Sequence, residues 1–481
     1  MKRIIQTVGL GLVIALSAAP LSAQEGLRAA SGGQATSGPT RSPFLGSVPA
    51  TDVAGPPLAL SLSEALRRGL DRNLGVLLEE QRVRTAEGNR WRQLDGLLPN
   101  ISGLIHETRE KVNLAALGFS GFPGVPSVIG PFNVFDARLA VSQPVIDVGA
   151  MFEARAGAAA LRAERHGYQD ARNIVILVVS NLYLQAVAAE SRSDAARSQL
   201  DTAESLYQLA VDQNRAGVVP RIEVLRADVE RKAASQRRIV ADNEGARARS
   251  ALAQAIGLPL QQQFSIGDPM PYAPAATVDP AVALNAAYAR RADFLQAQER
   301  VNAASAALGA ARADRLPRLT FDANYGWIGA EPSTAISTFA VAANVRVPIF
   351  AGATKARAIE SEAELRRREA ELEDLRTRIS YEIQTSLRDL NAAAELVTVA
   401  QSAADLATEA LTQARDRFAA GVATNIEVIQ AQEAVVAARE GRIASLYSHN
   451  VAKAGLARAI GVGEHDFSGF MGGQAPWQTQ R

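Results

Sequence analysis

Four histidines, His106, His166, His449 and His465, stand far apart in the 481 residues. Their spacing matches no metal-ligand pattern, no nucleophile motif accompanies them, and no glycine-rich phosphate loop is present. Each reads as an ordinary polar residue. With 0 Cys there is no disulfide framework, thiolate ligand or thiol redox chemistry. Lys+Arg 51 against Asp+Glu 50 leaves a net charge of +1, which argues against a surface for polyanions and therefore against a nucleic-acid partner. No enzymatic activity, metal or cofactor is expected.

The acids that do repeat are Glu223 and Glu427. They lie in segments that align without a gap, Gln213-Asn214-Arg215-Ala216-Gly217-Val218-Val219-Pro220-Arg221-Ile222-Glu223-Val224-Leu225 and Arg417-Phe418-Ala419-Ala420-Gly421-Val422-Ala423-Thr424-Asn425-Ile426-Glu427-Val428-Ile429, 204 positions apart. In each, a glycine suits the left-handed residue that closes a helix, and Pro220 or Thr424 suits the start of the next. An acid just beyond such a turn stabilises the first helical turn through its dipole.

The duplication extends well beyond these tips. The offset of 204 carries Leu252, Ala253, Ala255, Ile256 and Gly257 onto Leu456, Ala457, Ala459, Ile460 and Gly461, and Pro144 onto Pro348. Upstream the offset is 218, carrying Leu98-Pro99 onto Leu316-Pro317, Leu77 onto Leu295 and Leu66 onto Leu284. The first copy thus holds 14 extra residues, assigned to the long turn around the Gly/Pro cluster Gly118 to Pro126. Each copy parses as helix, strand, loop, strand, long helix, tight turn and helix.

In the second copy Leu319, Phe321, Ala323, Tyr325 and Trp327 alternate with Thr320, Asp322, Asn324 and Gly326, and Phe339, Val341, Ala343 and Val345 alternate with Ala340, Ala342, Asn344 and Arg346. Phe135, Ala137, Leu139 and Val141 repeat the pattern in the first copy. Such period-two strands suit either a membrane barrel, lipid outside and water inside, or a soluble hairpin buried on one side. After the leader, no run reads as long and apolar enough to span a bilayer as a helix. The best, Ile174 to Val179, is flanked by Asn173, Ser180 and Asn181.

The helices after each strand pair run without proline from about 150 to 215 and 353 to 419, roughly 100 Å each at 1.5 Å per residue. Rods of that length must pack on other rods. Leu365, Leu372 and Ile379 follow a seven-residue rhythm, resumed four residues on by Ile383, Leu390, Val397, Ala404 and Leu411. That stutter locally unwinds a left-handed supercoil.

The boundaries expected are a signal peptide over 1–23 (Lys2 and Arg3, then Ile4 to Leu16, then small residues to Ala23), a Gly/Ser/Pro-rich lead segment over 24–57 and a first repeat over 58–257. The first repeat holds strands at about 101–143, a long helix at 150–215 and a return helix at 221–256. A connector over 258–278 leads to a second repeat over 279–461, with strands at about 318–348, a long helix at 353–419 and a return helix at 424–460, and then a tail over 462–481.

The duplicated order, the leads Gln143-Pro144-Val145-Ile146-Asp147 and Val347-Pro348-Ile349-Phe350 into long helices, and the tips with Gly and Ile-Glu-Val resemble the TolC family of outer-membrane efflux factors over about 58–461. The resemblance implies a mainly helical chain with transmembrane strands. Four strands from each of three copies would form a 12-stranded barrel, continued by a coiled-coil tunnel into the periplasm. It implies a passive exit duct in the outer-membrane lipid for efflux or type I secretion, fed by an inner-membrane transporter through a periplasmic adaptor. Adaptor contacts then fall on Gly217, Val218, Val219, Pro220, Gly421, Val422, Ala423 and Thr424. Glu427, with Glu223 beside it, could form a ring of carboxylates at the lumen entrance that favours cations. Gln430 and Ala423 stand where some members carry a second acid and a basic latch, for which Arg215 or Arg221 could substitute. The competing reading is a soluble periplasmic coiled-coil scaffold or adaptor, although adaptors carry one hairpin and this chain two.

Overall fold

The computed structural model describes residues 42–49, 57–118, 126–259, 261–266, 270, 272–274, 278–349, 352–420, 422 and 425–473. The expected signal peptide lies outside them. The first repeat runs β1 (Leu58–Leu60), α1 (Leu62–Arg72), α2 (Leu74–Asp95), β2 (Asn100–Asn113), β3 (Val128–Ile146), α3 (Val148–Arg215) and α4 (Arg221–Ile256). After β4 (Phe264–Ile266) the second runs α5 (Pro280–Arg290), α6 (Ala292–Ala313), β5 (Arg318–Gly329), β6 (Ile336–Arg346), α7 (Gly352–Ala419) and α8 (Asn425–Ala459), closed by α9 (Glu464–Met471). Moving α1 and α2 forward by 218 lands on α5 and α6, and moving α3 forward by 204 lands on α7.

The structure departs from the sequence reading in several places. The leading helix of each repeat is broken in two. At Asn73, fully buried, Oδ1 accepts from the Gly75 N–H at 2.9 Å while Nδ2 donates to the Phe44 carbonyl at 2.8 Å. An amide that satisfies a backbone group of the next helix and one of a distant segment stabilises the break. The connector is not featureless, because its β4 pairs in parallel with β1. The tail carries α9. Of the 14 surplus residues only eight lie in the β2–β3 connection, and six lengthen the strands, two at the end of β2 and four at the start of β3.

The rods meet through small residues. Ala189, Ala196, Ala203 and Ala210 on α3, and Ala227, Ala234, Ala241 and Ala248 on α4, recur every seventh position and are all buried. Side chains without a γ carbon let two backbones approach closely. On α7 the stutter residues Ile379, Ile383, Leu390, Val397, Ala404 and Leu411 are likewise buried, while Leu365 and Leu372 are half-buried. At mid-length Leu60, Val175, Val179, Tyr183, Leu252, Ile256, Leu456 and Ile460 join Ile379, Ile383 and Leu390 in one core. Each large apolar side chain there contributes about 1.5–3 kcal/mol. By length and composition α3 does contain a stretch apolar enough to cross a membrane, contrary to expectation, but more than half of that stretch is buried inside the protein. Its apolarity serves the packing of rods.

Strands β2, β3, β5 and β6 form one antiparallel sheet in that order. The register sets Ile101, Val141, Ala323 and Val341 in one row, and Gly103, Leu139, Tyr325 and Phe339 in the next, all on one face. Ile105, Leu139, Tyr325, Trp327, Phe339 and Val345 stand exposed there. The opposite face is polar: Asp322 accepts from Ser142 Oγ at 2.6 Å and from Asn344 Nδ2 at 2.7 Å. Below the sheet Asp314 gathers Arg318 at 2.6 Å and Arg357 at 2.9 Å, Arg357 also reaches Glu153 at 2.7 Å, and Asp147 caps α3 through the Ala150 N–H. Four elements that enter or leave the sheet are tied there by charge.

One buried cation joins distant segments. Lys453 on α8 donates to the Ala273 carbonyl of the connector at 2.8 Å and to the Met471 carbonyl at the end of α9 at 3.0 Å. Burial pulls its ammonium down from 10.5 to about 8, and burial with the Lys453 charge holds His449, one turn earlier, below 6.5. A lysine whose folded value is depressed binds fewer protons than the unfolded chain between about pH 8 and 10.5, so its contribution to stability rises with pH across that window. Thermal unfolding of the wild type should therefore gain on Lys453→Met between pH 8 and 10. Parallel curves would show that burial does not depress the ammonium.

Candidate functional site: the hairpin tips

The two tips close by the same backbone bonds. In the first, Ala216 N–H donates to the Asp212 carbonyl at 3.0 Å and Val218 N–H to the Gln213 carbonyl at 2.9 Å; in the second, Ala420 donates to Asp416 and Val422 to Arg417, each at 3.0 Å. Gly217 takes φ +73°, the left-handed conformation in which a side chain would crowd the following carbonyl. Asn214 Nδ2 adds a bond to the Val219 carbonyl at 2.7 Å, and Pro220 in extended conformation starts α4. Val218 and Val422 are 71% and 69% exposed, so each tip presents an apolar side chain to its surroundings. Gly421, Ala423 and Thr424 lie outside the described residues.

Beneath the turns the tips differ in charge. Glu427, at the start of α8, pairs across its hairpin with Arg417 of α7 at 3.1 Å. Glu223 pairs instead with Arg226, one turn along its own helix, at 2.6 Å, and its other oxygen, Oε2, is buried without a hydrogen-bond partner among the described residues. The offset of 204 equates Arg417 with Gln213 and Gln430 with Arg226. At these three aligned positions each tip therefore holds one glutamate, one arginine and one glutamine, with the arginine and glutamine exchanged. Gln430 is exposed and no ion pair reaches it. Arg215 stands 3.7 Å from Asp212 on its own helix, so it links nothing across a hairpin, and Arg221 has no ion pair among the described residues. The sequence reading missed Arg417 because it is ten positions from Glu427, on the other helix; the alignment with Gln213 marked it as a difference between the tips.

A second anchor is apolar. Leu411, Ala414, Val428 and Val435 bury together beneath the second tip, and Leu206 of α3 packs on them. The two hairpins are thus joined side by side through α3 and α8.

The family model for outer membrane efflux proteins matches residues 67–258 and 283–462, once on each repeat. The chain belongs to the outer membrane efflux protein family. Among relatives of this efflux protein, the pyoverdine export outer membrane protein OpmQ of Pseudomonas aeruginosa is 27% identical over 418 residues, covering 84% of this chain and 86% of OpmQ. The alkaline protease secretion protein AprF of the same species is 22% identical over 360 residues, covering 72% and 74%. The crystal structure of the Campylobacter jejuni CmeC outer membrane channel superposes with a TM-score of 0.71 at 18% identity, covering 87% of this chain and 88% of that one. The adaptor reading is set aside by the family match, which takes in both repeats.

The exposed pair at the efflux protein's second tip should contribute little to stability, about 0–1 kcal/mol, whereas a β-branched residue at φ +73° should cost about 1–2 kcal/mol. Hydrogen exchange followed by mass spectrometry should show Gly217→Val opening the backbone around 212–220 while Arg417→Ala leaves the second tip nearly as protected as before. Equal protection in Gly217→Val and wild type would show that the turn does not depend on its glycine.

Proposed function

We propose that three copies of this efflux protein close one outer-membrane barrel and continue it as a helical duct. Through that duct, solutes delivered by an inner-membrane transporter and a periplasmic adaptor leave passively. The observation that carries this reading is the sheet. It has an apolar outer face and two long edges, β2 and β6, without partners among the described residues. Strand directions alternate across the sheet, so β6 of one copy and β2 of the next run antiparallel and continue the same pattern. Eight strands enclose an interior largely filled by its own side chains, so three copies are the smallest ring that leaves a duct. Exposed apolar side chains at heptad spacing on the outer faces of the rods, Ile222, Leu225, Val229 and Ile239 on α4 and Leu396, Val399 and Leu406 on α7, supply the seams between copies.

In this reading the tips, Gly217 to Pro220 and Gly421 to Thr424, form the periplasmic entrance and meet the adaptor, with Val218 and Val422 as apolar contacts. Glu427 of each copy faces the lumen as a ring of carboxylates with Glu223 and Gln430 nearby. Arg417 at 3.1 Å offsets most of that charge. The relatives named for pyoverdine export and for alkaline protease secretion handle two unlike cargoes, which leaves the cargo class to the transporter.

Planar-bilayer recording in a KCl gradient tests the ring. Arg417→Gln should shift the reversal potential toward cation preference, and Glu427→Gln should shift it the other way. Reversal potentials equal to the wild type in both variants would remove Glu427 from the lumen.

A further inference from the structure

The repeat supplies a rule for contacts that one copy cannot make by itself. Within the chain α6 is wedged between α3 and α7, whereas its counterpart α2 packs extensively on α3 alone among the long helices. The contacts of α6 with α3 therefore have no equivalent inside the chain. Carried through the repeat, they become contacts of α2 with α7 of a neighbouring copy.

The best-defined of them is a large residue over a small one. Phe152 of α3 lies over Gly309 of α6, so closely that an added Cβ at 309 would sit 2.6 Å from Phe152 Cδ1. Subtracting 218 from 309 gives Trp91, and adding 204 to 152 gives Ala356. The large residue has changed helix, but the pair remains large on small. Trp91 is 67% exposed, among the most exposed large apolar side chains on the helices, and Ala356 is exposed too.

A second pair follows from direction. Between Phe152/Gly309 and the ion pair Arg162–Glu299 at 2.9 Å, α3 advances ten residues while α6 retreats ten. The same antiparallel course, three residues on from Ala356 and three back from Trp91, sets Ile359 against Gly88. Ile359 is 59% exposed, and a Cβ built at Gly88 meets nothing within 4 Å. Each helix thus offers one bulky apolar side chain and one vacant position, arranged to receive the other helix.

We infer that Trp91 of one copy packs against Ala356 of the next, with Ile359 of that copy over Gly88, so that α2 fills between copies the place that α6 fills within one. This rests on the oligomeric reading above and assigns the contact that joins copies below the barrel. Desolvation of an indole in a helix–helix seam makes it a focal residue of the interface.

A chain with 0 Cys permits a direct test. Trp91→Cys/Ala356→Cys, oxidised in native membranes, should give species of two and three linked chains on a non-reducing gel. Either single cysteine should give neither, and Phe152→Cys/Gly309→Cys should bond only within one chain. As a second measurement, Trp91→Gly should lower the melting temperature of the oligomer, and Trp91→Gly/Ala356→Phe, which recreates the pair inside the chain, should recover part of the loss. An intact oligomer with no interchain bond and no recovery would overturn the contact while leaving the assembly standing. A wild type that is monomeric in detergent and in membranes would overturn the assembly, and the contact with it.

Discussion

Backbone N–H and C=O groups in hydrocarbon must find partners inside the protein, because no water is there to take them, and each one left over costs several kcal/mol. A sheet of four strands whose exposed face carries Ile105, Leu139, Tyr325, Phe339 and Val345 cannot meet that condition with β2 and β6 open. Most of the architecture follows from this. In the proposed assembly the edges pair with those of further copies, the copies make a ring, and a ring of sheets needs its strands held at fixed spacing from below. The charges gathered on Asp314 hold β5, α6, α3 and α7 together where strand gives way to helix. The rods carry that spacing away from the membrane.

The parts of this plan set by periodicity were legible in the sequence. Alternation along β5 and β6 identified the apolar face of the sheet, and the stutter between Ile379 and Ile383 identified the buried stripe of α7. The equivalent stripes of α3 and α4 were not legible as stripes, since they are written in alanine. Ala189 to Ala210 and Ala227 to Ala248 carry too little hydrophobicity to stand out from the other alanines of the same helices. The breaks at Asn73 and Arg291 escaped for a different reason. Asn73 is helix-compatible in local sequence, and the Phe44 carbonyl that holds it lies 29 residues away. Arg291 likewise depends on Glu382 and the Ala459 carbonyl, from helices much later in the chain.

At the tips the sequence disclosed the turns but not the pairing. Gly217, Pro220 and the repeated Ile-Glu-Val are local signals, and the backbone bonds of the two turns repeat them faithfully. Whether a glutamate there is free or neutralised depends on which helix carries the arginine, and that is settled by the crossing of two rods. At three aligned positions duplication has kept the glutamate while exchanging an arginine and a glutamine. The first tip keeps its charge pair within one helix, and the second uses its pair to span two.

The uneven strands have a consequence for the outward end. A duplicated chain assembled in threes could present six equal turns around its rim. Six of the surplus residues lengthen β2 and β3, and eight more enlarge the turn between them, while the β5–β6 turn is only six residues long. The rim of such a duct alternates between three tall hairpins and three short ones, all the tall ones drawn from the first repeat. An antibody or a bacteriophage approaching from outside would meet the first repeat before the second, and that crown is where sequence can drift without disturbing the channel beneath it.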